Sequence, residues 1–253
     1  HREREARPSA ERLIALRPTD PDVLLAVATV RFADGDPASA LAALEVARRE
    51  APARADVPRR LGDIARALGD SERALEAYRH ALALDSDFAA VHYAVAMLLI
   101  ERGDAAGADA ELTAALEAIP TYTDATLALA RLRREAGRLD DAVALLVDVL
   151  QRDLSNLAAL YVLAETLWMA GRTDDAQFAV DRIRRFDPAH AGAWYLTGSI
   201  AASRQQYRVA TDAWQRVIDL EPAGELARQA RREMRTALDL QHILGARGPA
   251  AEA

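Results

Sequence analysis

Cysteine and lysine are both absent from the 253-residue chain, and aromatic residues make up only 5% of it. Without cysteine there is neither a disulfide nor a thiolate metal site, and the redox state of the compartment stays undecided. All 32 basic residues are arginines, which together with abundant alanine is typical of codon bias in a GC-rich, bacterial genome. Because alanine is the best helix former, the composition alone predicts an all-α fold.

Long apolar runs and concentrated basic charge are also missing. The longest apolar run covers residues 94–100, whereas a membrane-spanning helix needs roughly 20 apolar residues. The net charge is −7, and the arginines are interspersed with acids, so we expect no nucleic-acid partner. No signal peptide is visible. We therefore expect no direct membrane insertion. The sequence does not decide the cellular compartment, although we favour the cytoplasm.

A spacing of 34 residues runs through the chain without insertion or deletion, as from Gly35 to Gly69. Three residue types follow it: glycine at Gly35, Gly69, Gly103, Gly137 and Gly171; alanine at Ala40, Ala74, Ala108, Ala142, Ala176 and Ala210; proline at Pro18, Pro52, Pro120, Pro188 and Pro222. The glycines predict left-handed turns after a first helix, and the prolines predict the end of a second. Such a period is typical of a stacked-repeat solenoid.

The spacing divides the chain into four parts. Residues 1–20 hold half a repeat, whose helix over residues 9–17 has no upstream partner, so we expect a fragment of a longer protein. Residues 21–222 hold six full repeats, and Asp36, Asp70 and Asp104 are expected to cap second helices. Residues 223–244 predict a capping helix, and residues 245–253 a disordered tail. The apolar stripe of the capping helix is predicted to be Leu226, Ala230, Met234 and Leu238.

The repeat resembles the tetratricopeptide-repeat (TPR) family over essentially the whole chain. The matching residues are Trp194 and Gly198, Leu61 and Gly62, Ala74, Tyr78 and Ala81, Ala210 and Trp214, and the recurring prolines. The tyrosine usual in the first helix is missing throughout, and Gln205 and Gln206 stand where the sixth turn should have its glycine. The resemblance implies a right-handed superhelical solenoid of antiparallel helix pairs, in which the first helices line a concave groove.

The groove positions that the resemblance implies include most of the large side chains of the first helices. We expect the following residues to bind a partner: Phe32, Arg59, Arg66, Tyr93, Met97, Arg131, Arg134, Tyr161, Glu165, Trp168 and Tyr195. Their aromatic and arginine content is typical of interface hot spots. Alternatively, the aromatics pack against neighbouring repeats and only seal the wall.

Charges on neighbouring first helices suggest what such a partner would carry. Arg131 is close enough to Glu165 on the next helix to pair with it, which would leave Arg134 for an acidic group of the partner. The pair could also be a solvent-screened contact of about 0–1 kcal/mol. The lysines and asparagines with which chaperone-binding TPR proteins hold a C-terminal carboxylate are missing from these positions.

Catalytic and metal-binding patterns are not found. The five histidines share no metal-like spacing, and the acid pairs at Asp140 and Asp174 begin second helices, where they favour the helix dipole. We therefore expect no enzyme activity and no cofactor. Two functions stay open: a scaffold that docks a peptide or helix of a partner protein, or a regulatory or assembly segment of a larger enzyme or secretion machine. The open half repeat and the patch of Leu240, Ile243 and Leu244 favour the second.

Overall fold

The computed structural model describes residues 15–245, with side chains up to residue 242. Over this range the chain forms thirteen α-helices and no strand. In chain order they are α1 (Pro21–Ala33), α2 (Pro37–Glu50), α3 (Asp56–Ala67), α4 (Ser71–Leu84), α5 (Ala89–Glu101), α6 (Ala105–Ala118), α7 (Thr123–Glu135), α8 (Leu139–Arg152), α9 (Leu157–Met169), α10 (Thr173–Phe186), α11 (Ala191–Ser203), α12 (Tyr207–Leu220) and α13 (Glu225–Gly245). Most of the predicted helix over residues 9–17, the predicted tail, and the side chains of Ile243 and Leu244 lie outside the described residues.

Helices α1 to α12 form six consecutive pairs, one for each predicted repeat. Every first helix begins within one residue of its predicted position, and the helices are 12–14 residues long. The predicted all-α solenoid of 34-residue helix pairs is therefore confirmed. The chain divides into two compact units, His1–Ala125 and Thr126–Ala253, which are called the first and second unit below.

Every first helix ends in the same hydrogen-bonded turn. In the first repeat the Asp36 amide donates to the Arg31 carbonyl at 2.9 Å, and the Gly35 amide donates to the Phe32 carbonyl at 3.0 Å. This pair of bonds is the Schellman motif, which needs a left-handed residue at the glycine. The glycines of the first five turns have φ between 71° and 80°, as predicted.

Second helices begin with a side-chain cap in the first three repeats. The carboxylates of Asp36, Asp70 and Asp104 accept hydrogen bonds from backbone amides three residues further on, which confirms the predicted caps. At the equivalent position of the later repeats, Arg138 and Arg172 provide no cap. Acids in the first turn of α8 and α10 favour the positive end of the helix dipole there instead.

The core of each repeat lies between its first and second helix. The alanines that recur in the second helices are all 0% exposed, so the two helices approach closely at this point. In the second repeat the ring of Tyr78 lies against Gly62, where an added Cβ would come within 2.5 Å of the ring. The indole of Trp214 covers Gly198 in the same way in the sixth repeat.

The last helix, α13, packs against α12 and α11, but not through the whole predicted stripe. Ala227, Ala230 and Ala237 are buried, whereas Leu238 is 50% exposed. Leu226 and Met234 are partly buried against the same cluster. The inclusion of Leu238 in the packed face was therefore wrong, and Ala237 takes that place.

Gln205 adopts the left-handed conformation of its glycine counterparts, with φ 60°. It also makes the same turn, since the Gln206 amide donates to the Ala201 carbonyl at 2.9 Å. A side chain in this region costs about 1 kcal/mol, so Gln205→Gly should leave the melting temperature unchanged or raise it. Gly171→Gln is the matched control, because a Cβ at Gly171 meets no atom within 4 Å. That control should lower the melting temperature; a clear loss in Gln205→Gly would mean that the glutamine side chain supports the turn.

Ala237→Asp should loosen the C-terminal end of the second unit. The substitution places a carboxylate at a site that is 3% exposed and lies among Ala201, Trp214 and Val217, where it cannot be hydrated. Hydrogen exchange should show a loss of protection in α11 to α13. Protection in α1 to α4 should not change, because each repeat contacts only its neighbours. Leu238→Asp is the control and should leave protection nearly unchanged. Equal loss in both variants would contradict the observed face of α13.

Candidate partner-binding wall

The first helices of successive repeats touch one another in the second unit. Helix α9 contacts α11, and α11 contacts α13, while an ion pair joins α7 to α9. This surface is called the inner wall below. It carries six of the predicted partner-binding residues: Arg131, Arg134, Tyr161, Glu165, Trp168 and Tyr195.

The ion pair on the inner wall is formed by Arg134, not by Arg131. Arg134 Nη1 donates to Glu165 Oε2, and the two side chains are only 16% and 32% exposed. The predicted Arg131–Glu165 pair was therefore wrong. Arg134 and Glu165 are 31 positions apart, three fewer than the repeat length, so Arg134 and not Arg131 reaches the carboxylate. Arg131 is exposed and has neither a hydrogen bond nor an ion pair within the part of the chain that the structure describes.

Tyr161 is held in the middle of the inner wall by residues of the next repeat. Its ring centroid lies 5.1 Å from that of His190, and a Cβ added to Gly192 would come within 2.6 Å of the ring. His190 in turn caps α11, since its Nδ1 accepts a hydrogen bond from the Ala193 amide at 3.1 Å. Burial and the neighbouring Glu165 carboxylate raise the pKa of Tyr161, so its hydroxyl stays protonated and able to donate.

Two further aromatics of the inner wall are half-buried. Trp168 packs against the main hydrophobic cluster of the second unit. Tyr195 packs against the cluster that includes α13, and burial, together with Glu233, raises the pKa of its hydroxyl. These side chains contribute to the core and still expose part of their surface to solvent.

The other five predicted residues lie in the first unit, and most of them make contacts there. Phe32 packs against Ala28, Leu44 and Ile64. Met97 is half-buried. Arg66 is exposed, with one ion-pair contact to Glu101 at 4.0 Å.

Arg59 belongs to a polar cluster in the first unit. Its Nη1 lies 3.1 Å from Asp63 Oδ2, and the Tyr78 hydroxyl donates to the same carboxylate at 3.0 Å. The Arg59 guanidinium also lies over the ring of Phe88 at 5.8 Å. The guanidinium of Arg59 therefore already contacts Asp63 and Phe88 within the protein.

One recurrent contact was missed by the sequence analysis. A groove residue packs on the residue that directly precedes the next first helix: Arg59 on Phe88, Tyr93 on Tyr122 at 5.4 Å, and Tyr161 on His190. The spacing is 29 residues in each case. The signal that could have found it is that these preceding positions fall on the 34-residue spacing and carry rings in three repeats.

Metal-binding groups and membrane-spanning helices are both missing from the described range. No three His, Cys, Asp or Glu side chains are grouped there so that they could hold a metal ion. None of the helices in this range combines the length and the apolar character that a bilayer crossing needs.

Family models place the fold in a known class. Models described as tetratricopeptide repeat match residues 99–153 and 133–200, and one described as TPR repeat matches residues 62–103. Together they span more than half of the chain. The chain belongs to the tetratricopeptide-repeat family. No curated protein sequence matches it.

Solved structures show the same fold at low sequence identity. YrrB, described as a TPR protein with an unusual peptide-binding site, is 23% identical with a TM-score of 0.63 and covers 75% of this chain and 97% of its own. PilW, described as a type IV pilus biogenesis factor, is 22% identical with a TM-score of 0.69, over 83% and 97% of the two chains. PilF from Pseudomonas aeruginosa is 19% identical with a TM-score of 0.70, over 84% and 97%.

Gly192→Ala should disturb the inner wall by displacing the ring of Tyr161. The added methyl group would meet ring carbons of Tyr161 at 2.6 and 2.7 Å, and overpacking of this kind typically costs about 1–3 kcal/mol. Urea unfolding of Gly192→Ala, Tyr161→Ala and the double variant forms a double-mutant cycle. In the Tyr161→Ala background the added methyl group should lower the free energy of unfolding much less. Additive losses would show that the ring is not what Gly192 accommodates.

Proposed function

We propose that the chain is a non-catalytic scaffold that binds an acidic segment of a partner protein on the inner wall of its second unit. TPR repeats generally mediate protein–protein interaction, and the chain belongs to this family. The fold is typically an interaction scaffold without enzyme activity. Docking of a peptide, and its acidic character, are our proposal.

Arg131 is the observation that carries the proposal. Arg134 and Glu165 neutralise each other, whereas the exposed guanidinium of Arg131 has no hydrogen bond or ion pair among the described residues. A guanidinium presents five donors in a planar fork that fits a carboxylate. We therefore propose that Arg131 binds an aspartate or glutamate of the partner.

The aromatic side chains supply the apolar part of the site. Trp168 and Tyr195 are half-buried, so their positions are held by the core while one side stays accessible. Complete burial of an exposed side chain contributes about 1.5–3 kcal/mol, and burial of the remaining surface of these two by a partner contributes a part of that. An apolar residue of the partner on this surface, next to its carboxylate on Arg131, would account for both features.

A second candidate function is assembly, and exposed leucines on α13 favour it. Leu238 and Leu240, two residues apart near the end of α13, are 50% and 40% exposed. A second copy of the chain could bury them. Light scattering distinguishes the two functions: a monodisperse monomer favours docking on the inner wall, and a stable oligomer that Leu238→Asp dissociates favours assembly.

The docking proposal predicts opposite effects for two neighbouring substitutions. Random 15-residue peptides are selected for binding to the wild-type chain, and the enriched peptides are titrated against variants. Arg131→Gln should weaken binding about tenfold or more, because it removes the carboxylate contact. Glu165→Gln should strengthen binding, because it removes a like charge and releases Arg134 for the partner. Both effects should shrink as the salt concentration rises.

Arg208→Gln serves as the control, since Arg208 is exposed on the second helix α12, away from the inner wall. Circular dichroism should show unchanged helicity in all three variants. Equal affinity of Arg131→Gln and Arg208→Gln would place the site elsewhere, and weaker binding by Glu165→Gln would mean that the glutamate contacts the partner.

A further inference from the structure

A cleft lies between two second helices of the second unit and is separate from the inner wall residues. It runs between α10 and α12, with the first turns of α11 between them. We call it the outer cleft, and its lining residues are Arg184, Trp194, Thr197, Val209, Asp212, Ala213 and Arg216.

Trp194 and Arg184 form a fixed stack at one side of the outer cleft. Trp194 Nε1 donates to the Pro188 carbonyl at 2.8 Å, which holds the indole in place. The Arg184 guanidinium carbon lies 3.7 Å from the ring centroid, well inside the distance of a cation–π contact. The stack therefore sets the plane of the guanidinium before any ligand arrives.

Arg184 makes no side-chain hydrogen bond within the described part of the chain. Its Nε is buried and has no hydrogen-bond partner, and its contact with Asp181 Oδ1 is 3.7 Å long, too long for a hydrogen bond. Arg216 on the opposite side of the cleft likewise makes no hydrogen bond or ion pair with any described residue. Two guanidinium groups thus line one cleft: that of Arg216 is unpaired, and that of Arg184 has only its long contact with Asp181 and can offer its Nη atoms to a ligand.

The charge and the apolar surface of the outer cleft define the ligand. The lining holds two guanidinium groups and one carboxylate, Asp212, and Asp181 outside the lining is paired with Arg184, so the guanidinium without an ion pair is that of Arg216. The accessible apolar residue of the lining is Val209, which is 51% exposed, whereas Ala213 is only 3% exposed. A stacked guanidinium binds a carboxylate in its own plane, and the apolar surface accepts a small aliphatic side chain.

We propose that the outer cleft binds a partner segment in which an aspartate or glutamate adjoins a small aliphatic residue. The carboxylate is held by Arg184 and Arg216, and the aliphatic side chain lies on Val209. This site does not depend on the inner wall, so the protein can engage two acidic segments at different faces of the second unit.

The test uses the whole chain and a blocked peptide, acetyl-GVEVEG-amide, with acetyl-GVQVQG-amide as the uncharged probe. Two-dimensional NMR follows the indole N–H signal of Trp194, assigned with Trp194→Phe. The acidic peptide should shift this signal saturably, and the uncharged peptide should not. Arg216→Gln should weaken the binding about tenfold, as should an increase in salt that screens the charges.

Two controls separate this site from others. Arg208→Gln lies on the same helix outside the cleft, and Arg131→Gln lies on the inner wall, so both should bind the acidic peptide like the wild-type chain. Failure of Arg131→Gln alone to bind would place the peptide on the inner wall and overturn the outer site. Equal shifts with both peptides, no shift with either, or equal weakening by Arg208→Gln would also overturn it.

Discussion

Close contact between the two helices of each repeat depends on one small residue. The alanine that recurs in every second helix is completely buried in all six repeats, and a larger side chain there would push the helices apart. Once this distance is set, a large ring from the second helix can lie on a glycine of the first, as Tyr78 does on Gly62. The turn between the helices must then be short and left-handed, which the positive φ of the glycines provides.

Features that depend on local sequence were predictable, and those that depend on relative placement were not. Helix ends, caps and left-handed turns are determined within a few residues, so the 34-residue spacing located them. The ion-pair partner of Glu165 depends on the offset between successive helices, which no local pattern contains, and Arg134 therefore takes the place expected of Arg131. Leu238 was misplaced for a geometric reason: steps of four residues advance about 40° around a helix each time, whereas Ala230, Met234 and Ala237 alternate steps of four and three.

The sequence left two roles open for the aromatic residues of the first helices: binding a partner, or sealing the contacts between repeats. The two roles do not exclude each other. Tyr93 and Tyr161 pack on the residues that precede the next first helix, so they seal contacts between repeats. Because Tyr161 is also held by Gly192, its position is established before any partner binds. Docking of a partner there would therefore cost little side-chain conformational entropy of the protein. This is the main way in which a rigid scaffold favours binding.

Specificity must then come from the charges that the fold leaves uncompensated. Many arginines of the described range pair with an acid nearby, such as Arg204 with Asp174 or Arg228 with Glu225, and exposed pairs of this kind contribute little to stability or recognition. Arg131 on the inner wall and Arg216 in the outer cleft differ in having no such partner among the described residues. A carboxylate that binds either one need not displace an internal acid. A lysine of the partner at the same place would instead be repelled by an arginine that has no ion pair among the described residues. An unpaired arginine on the same surface as accessible apolar side chains, as on the inner wall and in the outer cleft, is therefore what we propose as a recognition site on this arginine-rich protein.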